Sequence, residues 1–75
     1  MFEKLQKIIA EELSVDVNDV QLTTDILNDL DADSLDVVEL VMAIEDTFEI
    51  TVDDSDVEKL KTVQDILTYL EAQGA

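Results

Sequence analysis

Apolar residues recur at helical spacing at Phe2, Leu5, Ile8, Ile9 and Leu13, and Glu3, Lys4, Gln6, Lys7, Glu11 and Glu12 fill the other side. An apolar stripe of this period marks an amphipathic helix, so the first helix is predicted over residues 2–13. Between Ser14 and Asp33 the period is lost, and Asn18, Asp19, Thr23, Thr24, Asp25, Asn28 and Asp29 gather among scattered apolar residues. This pattern predicts a long ordered loop, pinned to the core by Val15, Val17, Val20, Leu22, Ile26, Leu27 and Leu30, with a short helical turn near Asp25 to Asn28. Loops of this length in compact domains are usually functional. Residues 34–49 restore the helical period. Ser55-Asp56-Val57-Glu58 fits a capping pattern and predicts a short helix over 55–60; Thr62-Val63-Gln64-Asp65 opens a last helix, carried by Val63, Ile66, Leu67 and Leu70 over 63–72. Glu49-Ile50-Thr51-Val52 alternates polar and apolar residues, but with no second strand to pair with it reads as loop. The predicted fold is all-α: a small, antiparallel-leaning bundle of three main helices plus one short helix, with a long loop between helices 1 and 2, in a single domain over 1–75.

The helix over 34–49 has two apolar faces. With Val37 at zero and an advance of about 100° per residue, Val41, Ile44 and Phe48 fall within about 40° of it and Leu40 lies nearby, which makes a core stripe. Val38, Met42 and Leu35 fall at about 100°, 140° and 160° on the same wheel, bordered by Ser34 and Glu45 on one side and by Glu39 and Asp46 on the other. One reading of this second strip is a single broad core-facing surface. A bundle of three long helices has little left to cover it, however, and a methionine-bearing apolar patch ringed by acids is the layout of a docking face. Ser34 stands at its edge. A serine just before a helix caps it by accepting a hydrogen bond from a first-turn N–H, and Ser34 is read here as that cap.

Composition narrows the possibilities. Seventy-five residues bury on the order of 60% of the surface the unfolded chain exposes. With no cysteine or histidine, neither a disulfide nor a zinc site is available, so the 47% of residues that are apolar must form one core. The apolar run Ile8-Ile9-Ala10 is too short for a secretory signal, and no stretch approaches a membrane span, which predicts a cytoplasmic location. Twenty acids against four bases give a formal net charge of −16, and no base occurs between Lys7 and Lys59. That balance disfavours nucleic acid and anionic membranes as partners and favours proteins with basic patches.

Little catalytic chemistry is available to such a chain. Ser34 has no histidine to serve as base, no lysine near it and no Gly-x-Ser-x-Gly turn. Paired carboxylates abound, but a small bundle offers no evident cleft to hold a substrate between them. Asp29-x-Asp31-x-Asp33 copies the opening of an EF-hand loop, yet the sixth position is Ser34 in place of glycine and the twelfth is Leu40 in place of glutamate. No defined metal site is therefore predicted, although clustered carboxylates can bind divalent ions loosely.

Asp-Leu-Asp-Ala-Asp-Ser-Leu-Asp at 29–36, followed by Val38-Glu39-Leu40-Val41-Met42-Ala43-Ile44-Glu45, resembles the acyl carrier proteins of bacterial type II fatty acid synthesis. The resemblance extends to Lys59, Leu60, Thr62-Val63-Gln64-Asp65 and Tyr69. It implies that Ser34 is esterified by 4′-phosphopantetheine, which a phosphopantetheinyl transferase (holo-carrier synthase) takes from coenzyme A, and that acyl chains ride as thioesters on the terminal thiol. No intrinsic catalysis is implied, and the protein is expected to be a monomer. The resemblance further implies that Asp33, Leu35, Asp36, Val38, Glu39, Met42, Glu45 and Asp46, helped by Asp54, Asp56 and Val57, meet basic-patched enzymes of fatty acid synthesis and acyl transfer. It also implies an acyl pocket lined by Leu40, Ile44, Phe48, Val52, Leu60, Ile66 and Tyr69, each of which serves equally well as a core residue. Two positions depart from the family: Asp31 stands where glycine is common, and Asp53 where proline usually precedes the third helix. Carriers for polyketide or D-alanyl transfer share the motif, though the acidic second helix favours fatty acid synthesis; from another class, the rival is an acidic, divalent-ion-binding regulatory bundle.

Overall fold

A computed structural model describes residues 1–30 and 32–75; the reading of Asp31 as a replacement for a turn glycine, and its place in the EF-hand comparison, lie outside them. Among the described residues four α-helices follow in order: α1 (Phe2–Leu13), α2 (Ser34–Phe48), α3 (Asp54–Val57) and α4 (Val63–Ala72), with one turn of 3₁₀ helix at Val17–Asp19. They enclose one core. Leu5 and Ile9 of α1, Leu40 and Ile44 of α2, and Val63, Ile66 and Leu70 of α4 meet there, joined by Val20, Ile26 and Ala32 from the connecting loop. Burial of each of the larger aliphatic side chains is worth about 1.5–3 kcal/mol. Phe48 packs on the edge of this cluster, where the Lys4 ammonium lies 5.4 Å from its ring centroid and links the start of α1 to the end of α2.

Neither α1 nor α2 has a glycine to end on. Ser14 (φ 55°) and Glu49 (φ 57°) adopt the left-handed conformation instead. The next N–H in each case turns back: Val15 donates to the Ala10 carbonyl at 3.0 Å and Ile50 to that of Glu45 at 3.2 Å, which satisfies carbonyls at the helix ends.

Val15, Val20, Ile26 and Leu30 anchor the connecting loop to the core, whereas Val17, Leu22 and Leu27, expected to do the same, are exposed; polar contacts hold the rest. Buried Thr24 accepts the Gln21 N–H at 2.9 Å and donates its hydroxyl to the Asp19 carbonyl at 3.2 Å, while Gln6 of α1 donates Nε2 to the Val20 carbonyl at 2.7 Å. The turn expected near Asp25 closes with the Asp29 N–H on the Asp25 carbonyl at 2.9 Å. Asp25 caps that turn through its side chain, accepting the N–H groups of Leu27 and Asn28 at 3.0 Å each. These bonds, the Asn28 N–H foremost, hold its carboxyl below the usual aspartate range, with a small contribution from Lys61.

From this turn the loop reaches α4. Ile26 donates to the Lys61 carbonyl at 2.9 Å, Val63 to that of Thr24 at 3.1 Å and Gln64 to that of Leu22 at 2.9 Å, around an antiparallel bridge between Asp25 and Thr62. Two N–H groups that the first turn of α4 cannot satisfy internally are thereby used to fasten the loop. The predicted Thr62–Asp65 capping box closes the same turn, with each side chain meeting the other residue's N–H at 3.1 Å.

The short helix differs from expectation. It spans Asp54–Val57 rather than 55–60, its N-cap is Asp53 rather than Ser55, and no side chain caps it. Backbone bonds from Asp56 and Val57 to the Asp53 carbonyl, at 2.9 and 3.1 Å, start the helix one residue early. Lys59 and Leu60 then bond three residues back, to Asp56 and Val57, so the chain tightens into turns before α4.

Candidate functional site

Asp33, not Ser34, caps α2. Its Oδ1 accepts the Asp36 N–H at 2.9 Å, and Asp36 Oδ2 accepts the Asp33 N–H at 3.2 Å, a reciprocal pair that satisfies the helix entrance. Ser34 is thus the first residue inside the helix. Its side chain is exposed, and its hydroxyl enters no hydrogen bond among the described residues. An aspartate one position earlier, paired with an aspartate three residues on, forms the better cap and leaves the serine oxygen to other uses.

The two faces of α2 separate. Leu40, Val41 and Ile44 are buried, whereas Leu35, Val38 and Met42 are 73%, 50% and 59% exposed, too open for one broad core-facing surface. Glu39 and Asp46 beside this strip, and Asp54 at the start of α3, are exposed acids. The other acids of the predicted docking set hold local structure. Asp36 closes the capping box, and half-buried Glu45 accepts the Val52 N–H at 2.9 Å, drawing the chain after α2 back onto the helix. Asp56 accepts the Tyr69 hydroxyl at 3.1 Å and lies 3.9 Å from the Lys59 ammonium. Partial burial, then the bond to Asp56 and its charge, raise the Tyr69 phenol above its ordinary pKa.

Two grooves are walled by both Val38 of α2 and Val57 of α3. One, of about 180 Å³, adds Val41, Met42, Glu45, Val52 and Asp54. The other, of about 340 Å³, adds Ser34, Leu27, Val37, Glu58, Leu60 and Lys61. Among the residues predicted for an acyl pocket, Leu60 therefore lines the groove beside Ser34 and Val52 the neighbouring one, while Leu40, Ile44 and Ile66 sit in the packed core. Tyr69 and Leu60 line a third, more open groove between α4 and the turn before it, with Lys59, Asp65, Thr68 and Ala72, and Phe48 belongs to the edge of the core. Leu27, Val37, Glu58 and Lys61 were not anticipated at the site. Only Lys61 carried a visible signal, as one of four bases in a very acidic chain.

This arrangement fits a phosphate-linked arm on Ser34. The hydroxyl is exposed and not needed for capping, it lies at the N-terminus of a 15-residue helix, where an anion is favoured, and a largely apolar groove opens beside it.

Comparison with known proteins agrees. Residues 3–70 match the family model described as a phosphopantetheine attachment site. The chain is 51% identical over 71 residues to the acyl carrier protein of Helicobacter hepaticus, covering 95% of this chain and 93% of that one. It is 50% identical over 74 residues to the acyl carrier protein of Campylobacter concisus, covering 99% and 96%. A solved structure of the acyl carrier protein from Enterococcus faecalis, 35% identical, superposes with a TM-score of 0.77 over 92% of this chain and 87% of that one. The match runs from α1 through α4 and contains Ser34, and the chain belongs to the acyl carrier protein family, whose mark is a phosphopantetheine attachment site.

Proposed function

We propose that the protein carries acyl groups on a 4′-phosphopantetheine arm esterified to Ser34 Oγ and delivers them to enzymes of fatty acid synthesis that dock on α2. The observation that carries this reading is an exposed serine hydroxyl, unused by its own helix, at the edge of the uncovered strip of Leu35, Val38 and Met42. The arm supplies the thiol on which an acyl group is held; a chain without cysteine has none of its own. The residues of the chain do the rest. Asp33 and Asp36 fix the entrance of α2, and with it the direction in which Ser34 points. Val38 and Met42 offer apolar contact, while Glu39, Asp46 and Asp54 give the face a negative rim that steers basic-patched enzymes toward it. Docking that rests on exposed charge around a small apolar patch is weak and falls with ionic strength. The protein performs no chemistry on its cargo and works in the cytoplasm; no helix among the described residues is long and apolar enough to cross a membrane. Incubation with coenzyme A, magnesium and a phosphopantetheinyl transferase should add the mass of one phosphopantetheinyl group, and Ser34→Ala should abolish the gain. An unchanged mass, or a gain that survives the substitution, rejects the proposal.

A further inference from the structure

The α2 N-terminus favours an anion at Ser34, but among the described residues the charged side chains around it are acidic except at one point. Asp33 and Asp36 flank it along the chain and Glu58 lines the adjoining groove, so an anion on the Ser34 oxygen is repelled from three directions. Among the described residues, Lys61 is the only cation in the groove wall that Ser34 shares. Of the chain's four lysines, Lys4 lies over the Phe48 ring, Lys7 is exposed on α1 and Lys59 is beside Asp56. Lys61 makes no ion pair within 4.0 Å among the described residues, although Asp25 feels its charge. Its backbone is fixed from both sides: its N–H donates to Asp65 Oδ2 at 3.2 Å, and its carbonyl accepts the Ile26 N–H at 2.9 Å. The lysine is therefore rooted on a rigid part of the groove wall, and only its flexible side chain must be ordered to meet an anion.

Resting on the assignment of Ser34 as the attachment point, we propose that Lys61 is a positioning residue for the phosphodiester of the arm, drawing it over the groove between α2 and the turn before α4 and away from Asp33 and Asp36. The interaction joins an exposed ammonium to an exposed anion. Such a pair changes a population by no more than about fivefold, and salt screens it. In this protein the bias sets direction: the arm rests over the groove side of α2, and an arriving enzyme must draw it off a single lysine.

The test uses the loaded protein. Wild type, Lys61→Met, Lys61→Arg and the control Lys59→Met are loaded from coenzyme A, and intact mass confirms one group on each; failure of wild type to load overturns the attachment assignment itself and this inference with it. Phosphorus NMR then reads the chemical shift and transverse relaxation of the phosphodiester, which no activity assay enters. At an ionic strength of about 0.01 M, where charges act over about 30 Å, wild type, Lys61→Arg and Lys59→Met should share a shift and a relaxation rate that Lys61→Met lacks. At about 1 M, where the range is about 3 Å, the four should converge. Circular dichroism of the four proteins establishes that all are folded alike; Met matches Lys as far as its Cε, so the apolar stem against the groove is retained. If Lys61→Met matches wild type at low salt, or if Lys59→Met differs from wild type as much as Lys61→Met does, the assignment of Lys61 is overturned.

Discussion

The Tyr69 hydroxyl donates to Asp56 Oδ2 at 3.1 Å, and this bond ties α3, which no side chain caps, to α4. A phenol can donate only while it keeps its proton. Partial burial and the neighbouring carboxylate both disfavour the phenolate, so the folded chain binds this proton more tightly than the unfolded chain does. The stabilisation is therefore complete below the ordinary tyrosine range near about 10 and is lost as pH rises through the elevated native value. Tyr69 is the only tyrosine and tryptophan is absent, so ultraviolet titration of the phenolate reads this one group. The native protein should ionise at higher pH than the urea-unfolded chain, and Asp56→Asn should bring the native value down toward the unfolded one. A midpoint unaffected by Asp56→Asn would show that burial, with the charge of Asp53, sets it.

At the level of elements, the entrance of α2 separates two residues that look alike in sequence. Asp33→Ala removes the side chain that accepts the Asp36 N–H and should cost about 1 kcal/mol, within the usual span of about 0.5–2 for a lost cap. Ser34→Ala removes a hydroxyl that bonds nothing described and should stay within about 0.5 kcal/mol. Urea unfolding in about 1 M salt, where the repulsion relieved by deleting Asp33 is screened, compares them fairly; a larger loss for Ser34→Ala would return the cap to the serine. The sequence misplaces this cap because Asp and Ser are both good N-caps, and only the Asp36 side chain returning to the Asp33 N–H decides between them. Other elements divide in the same way. The stripes of α1 and α4 and the two faces of α2 are written locally, in a period of 3.6, and are readable. The left-handed ends at Ser14 and Glu49 leave no glycine to announce them, and the bridge from Asp25 to Thr62 joins segments far apart in the chain. The acyl-pocket residues read from family likeness include Leu40, Ile44 and Ile66, which no sequence period can distinguish from core, while Leu27 and Lys61 enter the groove wall through the loop's attachment to α4.

For the molecule as a whole, charge density and size together decide how it responds to salt. A formal charge of −16 is held within 27 × 23 × 19 Å. At an ionic strength of about 0.01 M the screening length of about 30 Å exceeds every dimension of the fold, so acids at opposite ends repel one another; at about 0.1 M it falls to about 10 Å and only neighbours interact. The unfolded chain spreads the same charges over a larger volume, and repulsion therefore penalises the folded state more. Four lysines, with Lys59 beside Asp56 in the one ion pair among the described residues, offset little of this. The unloaded protein should melt at a higher temperature as salt rises across this range. A relief of about 1 kcal/mol corresponds to about 4–8 °C for a domain of this size, and magnesium should act at lower ionic strength than sodium because each ion neutralises two charges. Scanning calorimetry at fixed pH checks this, and a melting temperature indifferent to ionic strength would contradict it. The same screening weakens any docking that depends on Glu39, Asp46 and Asp54, so stability and partner affinity should move in opposite directions with salt. If docking proceeds as proposed, the acids that strain the fold are also those that attract basic partners, and titrating one protein with salt while following both quantities separates their two effects.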